Sequence, residues 1–181
     1  MSTAEVGSTK FFMSSGYMAL ASPVASSRTI CRAPSGRARC AVSISSCFRR
    51  PRLSSSPFLR GEILDVAVDV RRGSPTFGKY VSTEVSSESG RQVYIPIGFA
   101  HGFLTLEDDV IVMYKTSAYY APAHDSGIRW NDPDVAFPWP LNEADIVTSQ
   151  KDQRLPFLKE FASTFKYDGY PLGQFNVTDL E

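Results

Sequence analysis

The sequence predicts an all-β chain folded as a small antiparallel jelly-roll barrel, and three observations predict it. Leu64, Val66, Val68 and Val70 alternate with Asp65, Ala67 and Asp69, the period of a strand with one buried face. Further short runs follow at intervals of about ten residues, each closed by turn-forming residues, a spacing typical of sandwiches and barrels. The frame Gly90-x5-Pro96-x-Gly98-x2-His101 then sets a histidine just past a Pro/Gly bend between two apolar runs. A small barrel aims a polar side chain into its mouth in this way.

Taken in order, residues 1–59 are rich in Ser, Ala and Arg and show no sustained period of two or 3.6, so no fold is assigned to them. Their composition fits a targeting peptide or a disordered segment. From Gly61 the texture changes to strands. After the run to Val70, Arg72-Gly73-Ser74-Pro75 supplies a turn, and Lys79 to Val85 alternates again. A second turn at Ser86-Ser87-Glu88-Ser89-Gly90 leads to strands at Gln92 to Ile95, Gly102 to Leu106 and Val110 to Lys115. Glu107-Asp108-Asp109 reads as a polar hairpin connection. Tyr119 to Trp130 reads as irregular, broken by Pro122 and Gly127. Pro156 to Phe165 is expected to form a short helix, because Phe157, Phe161 and Phe165 share one face at that spacing. The expected organisation is a basic segment over 1–59, a barrel domain over 60–165 and a tail over 166–181.

The chain has 181 residues, enough for one domain with a real core, and its 19 basic and 19 acidic side chains cancel. No global charge argues for nucleic acid. The balance is uneven, however: up to Arg60, Glu5 is the one acid among Lys10, Arg28, Arg32, Arg37, Arg39, Arg49, Arg50, Arg52 and Arg60. Cys31, Cys40 and Cys47 are odd in number and lack zinc spacing, so neither a disulfide framework nor a zinc site is indicated. No apolar run approaches the roughly 20 residues that span a bilayer. No membrane association is expected.

Three side chains stand out as chemistry-bearing. His101 follows the bend. Tyr114 shares a strand face with Val110 and Val112, where a phenol is either a packed side chain or a general acid. Asp152 follows Ser149-Gln150-Lys151 and, by itself, reads equally as a loop carboxylate. A metal site is not expected, because His101 and His124 are the two histidines of the chain and such sites draw two or three from facing strands.

The Gly90 to His101 frame resembles the second motif of the cupin superfamily. Several longer stretches from Gly61 to Asp152 resemble the dTDP-4-dehydrorhamnose 3,5-epimerase family, and they occur in that family's order. They are Gly61-Glu62-Ile63-Leu64-Asp65-Val66-Ala67-Val68-Asp69-Val70-Arg71, Ser74-Pro75-Thr76-Phe77-Gly78 and Pro96-Ile97-Gly98-Phe99-Ala100-His101-Gly102-Phe103. Tyr114-Lys115, Tyr119-Tyr120-Ala121-Pro122 and Gly127-Ile128-Arg129-Trp130-Asn131-Asp132-Pro133 complete the set. The resemblance implies a cupin-like jelly roll and a cofactor-free isomerase that inverts C3 and C5 of a dTDP-linked 4-keto-6-deoxy sugar, feeding dTDP-L-rhamnose synthesis. It also implies a homodimer and a cytosolic location, whereas the basic segment by itself would suit an organelle.

By the same resemblance Tyr114 returns a proton to carbon, and His101 binds substrate near the reacting sugar. Asp152 matches a carboxylate that pairs with the family's catalytic histidine. Lys151 and Asp125 fall at substrate contacts, with Asp125 one methylene shorter than the family's usual glutamate. One departure is large. The family's base histidine lies in an upstream Arg-Gly-Leu-His strand, and this sequence has no such strand, so the barrel is expected to be incomplete at its amino-terminal side. Two other readings stay open: a nucleotide-sugar-binding module or partner subunit without turnover, and a metal-dependent oxygenase, which the histidine count disfavours.

Overall fold

The computed structural model describes residues 60–89, 93–116, 126–167 and 169, together with the backbone of 25–30, 39–40, 44–46 and 52–54; for Tyr94 and 113–116 it likewise describes backbone alone. Eleven strands are described: β1 (Ala25–Ile30), β2 (Arg39–Cys40), β3 (Ile44–Ser46), β4 (Arg52–Ser54), β5 (Glu62–Asp69), β6 (Tyr80–Ser86), β7 (Val93–Ile95), β8 (Phe99–Thr105), β9 (Ile111–Thr116), β10 (Ser126–Ile128) and β11 (Ile146–Val147). They form a five-stranded sheet in the order β10-β3-β8-β5-β6, a four-stranded sheet in the order β1-β9-β4-β7, and a parallel pair of β11 with β2.

The two larger sheets face each other across an apolar interior, in the manner of a jelly roll. Ile63, Ala67, Val85, Phe99 and Phe103 from the five-stranded sheet meet Val93, Ile95, Val110 and Val112. The expected all-β architecture is therefore observed.

Strand β5 departs from the expectation of one buried face. Val66, Val68 and Val70 do form one face, but Ile63, Asp65, Ala67 and Asp69 on the other are buried as well. The reason is a third layer. Residues 129–165 run over the outside of the five-stranded sheet, and Val135, Leu158, Phe137, Trp139, Phe161 and Phe165 pack on Val66, Val68, Val70 and Ala100. Each fully buried aliphatic side chain contributes about 1.5–3 kcal/mol in such a layer. Asp132 ties it down: Oδ1 accepts from the amides of Asp134 at 2.8 Å and Val135 at 2.9 Å, and Oδ2 from that of Leu158 at 2.5 Å. Edge contacts of Phe137 with Tyr80 and Trp139, at 4.8 and 4.5 Å between ring centroids, fill the space between.

The short helix expected over Pro156 to Phe165 is not formed; a single 3-10 turn spans Leu158–Glu160. A helix of that length is marginal in water, and a competing partner is at hand. The chain stays extended so that Arg72 N donates to Phe165 O and Tyr167 N donates to Arg72 O. The Ser163 hydroxyl also donates to the carbonyl of Val70. Glu107-Asp108-Asp109 is likewise not a hairpin turn, since β8 and β9 lie in different sheets and the connection crosses between them. Within 1–59, to which no fold was assigned, β1 pairs with β9, β3 with β8 and β4 with β7 and β9. These strands take their partners from the body of the chain.

Candidate functional site

His101 is the third residue of β8, so it sits within a strand and not in the bend before it. The bend is made by Gly98 at φ +86, a left-handed conformation that suits glycine. By strand alternation His101 shares the interior face with Phe99 and Phe103, and it stands directly opposite Ala67 of β5. The small Ala67 side chain leaves room for the imidazole to lean along β5 toward Asp65. His101 Nε2 lies 2.8 Å from Asp65 Oδ2, and the two residues are 8% and 2% exposed. A carboxylate accepts, so Nε2 carries the hydrogen and Nδ1 is the nitrogen left for a further partner. Buried charge requires such pairing.

Asp65 escaped the sequence reading because alternation alone assigned it to the solvent face. The signal that would find it is its register: two residues from Ala67, on the face that also carries His101.

A second carboxylate lies on the same face of β5, two strand repeats further along. Asp69 accepts five hydrogen bonds: from the Arg71 amide (2.9 Å), Nε (3.0 Å) and Nη2 (2.7 Å), from Ser74 Oγ (2.6 Å) and from Thr76 Oγ1 (2.7 Å). Burial raises its pKa, but the bonds from Arg71, Ser74 and Thr76 outweigh burial and hold it below the ordinary 3.8. A depressed folded-state pKa adds stability that is fully present above the unfolded value of about 3.9 and lost as pH falls through the folded value. Denaturant stability is therefore expected to fall below about pH 4, and Asp69→Asn is expected to flatten that acid limb. An equally steep limb in the variant would show that other carboxylates control it.

The remaining expected site residues are more scattered. Tyr114 is in β9 of the facing sheet, paired with Ser27 and Ser54, two positions on from buried Val112. Asp125 and His124 lie outside the described residues. Lys151 is exposed and precedes a 3-10 turn over Asp152–Arg154. Asp152 is 8% exposed; its amide donates to Ser149 Oγ at 3.1 Å, while its carboxylate has no hydrogen-bond partner among the described residues. No hydrogen bond or ion pair among the described residues joins Lys151 or Asp152 to the His101–Asp65 pair. Among those residues no three His, Cys, Asp or Glu side chains are grouped as a metal-binding set, and no helix is long and apolar enough to cross a membrane.

A carboxylate-held imidazole inside an apolar barrel can bind a polar ligand and take up a proton from it. Comparison with known proteins gives this arrangement a context. The family model for dTDP-4-dehydrorhamnose 3,5-epimerase matches residues 56–160. The chain is similar to the dTDP-4-dehydrorhamnose 3,5-epimerase of Sinorhizobium fredii, at 49% identity over 108 residues, covering 60% of this chain and 55% of that one. The enzyme of the same name from Methanothermobacter thermautotrophicus is 48% identical over 103 residues, covering 56% of each chain. The chain thus spans about half the length of the curated relatives it matches.

Among solved structures, a dTDP-6-deoxy-D-glucose-3,5-epimerase from Legionella pneumophila in complex with dTDP-4-keto-L-rhamnose superposes with a TM-score of 0.67 and 31% identity. That match covers 88% of this chain and 77% of that one. A 3'-monoepimerase from Streptomyces bikiniensis in complex with dTDP-quinovose gives 0.64 and 30%, covering 76% and 66%.

Proposed function

Because the chain belongs to the dTDP-4-dehydrorhamnose 3,5-epimerase family, a family of carbohydrate isomerases, we propose that it binds a dTDP-linked 4-keto-6-deoxy sugar and epimerises it at C3 and C5. The observation that carries this reading is the buried His101–Asp65 pair within the region of family similarity. Both carbons flank the C4 ketone, so loss of either proton leaves an enolate. The chemistry asks for a base on one face, a proton donor on the other and a hydrogen-bond donor to the oxyanion, and it asks for no cofactor.

His101 contacts the sugar beside the ketone. With Nε2 donating to Asp65, the Nδ1 lone pair is the base that the described residues offer for proton removal. Tyr114 donates its own hydroxyl proton to the opposite face of the enolate carbon, the abstracted proton staying on His101, and Lys151 and Asp125 bind the nucleotide-sugar. The working form is a homodimer in the cytosol.

Asp152 favours a second reading, a nucleotide-sugar-binding module without turnover. Its carboxylate has no hydrogen-bond partner among the described residues, and the sequence holds no histidine other than His101 and His124 for it to orient. Both readings require nucleotide binding. Calorimetry with dTDP is therefore the test, and the chain is expected to bind it. A chain that is folded and binds no dTDP would end both.

A further inference from the structure

Strand β8 enters the barrel at Gly98, and what holds that entry is unusual. The amide of Val70 donates to Gly98 O at 3.0 Å. The Arg71 side chain lies across Gly98 so closely that a Cβ there would fall 2.4 Å from Arg71 Cγ. Its guanidinium is stacked over the Phe99 ring at 4.7 Å and over the Tyr167 ring at 5.1 Å. The far side of that guanidinium is fixed by Asp69 through Nε and Nη2.

We propose that Asp69 and Arg71 form a positioning unit for His101: the carboxylate aims the guanidinium, and the guanidinium pins Gly98 and Phe99, two residues ahead of the imidazole. Strand β5 then holds His101 twice from one face, directly through Asp65 and indirectly through Asp69. A planar, two-bonded guanidinium fixes direction as well as distance, which a lysine ammonium does not. The proposal rests on the reading of His101 as the substrate-contacting group, but its first readout does not depend on that reading.

The test is nitrogen NMR of the His101 ring in the full chain, with the signal assigned by comparison with His124→Gln. Arg71→Ala is expected to shift the His101 ring resonances and to lower deuterium exchange into dTDP-4-dehydro-6-deoxyglucose about a hundredfold, the scale of a misplacement of about 1 Å. Ser163→Ala, which loosens the same corner at Val70 O without touching Arg71, is expected to leave the ring resonances in place. Arg71→Lys keeps the methylene cover on Gly98 and is expected to shift the resonances in the same direction by less. It decides the matter if Arg71→Ala does not fold. Ring resonances unmoved by the Arg71 variants, or moved as far by Ser163→Ala, overturn the positioning role. Shifted resonances in a protein that binds no dTDP leave that role standing and remove the functional reading instead.

Discussion

Exchange of His101 for asparagine is expected to lower deuterium incorporation into dTDP-4-dehydro-6-deoxyglucose by about a hundred- to ten-thousand-fold, the usual span of a lost general base. Asparagine retains size and hydrogen bonding but has no basic nitrogen. The effect should fall on turnover more than on dTDP affinity, because His101 Nδ1 is assigned to the sugar and not to the nucleotide. Tyr114→Phe sharpens the distinction. Removing the proton donor but not the base is expected to leave exchange at the reacting carbons while suppressing formation of the inverted sugar. His101→Asn that exchanges at the wild-type rate would move the base elsewhere, and Asp152 with a histidine from outside the described residues would become the candidate.

Replacing Asp69 by alanine is expected to cost about 3–5 kcal/mol in urea unfolding, the range for breaking a buried ion pair by removing one partner. Its carboxylate accepts five hydrogen bonds, and its loss leaves the largely covered Arg71 side chain, 11% exposed, without a counter-charge while freeing the Ser74 and Thr76 hydroxyls. Such a loss is a large share of the 5–15 kcal/mol that stabilises an ordinary domain. A cost under about 1 kcal/mol, the level of an exposed pair, would mean that water or another cation replaces the carboxylate.

How much of this was legible beforehand depended on how each strand is buried. β6 alternates visibly, and its bounds fall within one residue of expectation. β8 is buried at every position, so no alternation marks its start, and its third residue, His101, reads from the sequence as just past a bend ahead of a strand beginning at Gly102. The third layer was hidden for a related reason. Residues 129–155 carry no sustained periodicity and the spacing of Phe157, Phe161 and Phe165 points to a helix that does not form, so the apolar side chains of this stretch become meaningful only against Val66, Val68 and Val70. With that layer covering the valine face, Asp65 and Asp69 fall on the face of β5 that is turned to the other sheet.

β1 and β4 carry too little apolar pattern to be seen alone; their pairing comes from β9, which runs between them. The family resemblance pointed to His101, but it was the register of β5 against β8 that supplied Asp65. For Asp152 and Lys151 the order of motifs placed them in the site, and the described contacts do not join them to His101.

The most direct measurement is proton–deuterium exchange at C3 and C5 of dTDP-4-dehydro-6-deoxyglucose, followed by NMR in heavy water with the purified full chain. Incorporation at both carbons above the rate without protein is the expected result. No incorporation by a folded protein that binds dTDP would contradict the epimerase reading and leave a nucleotide-sugar-binding module in its place.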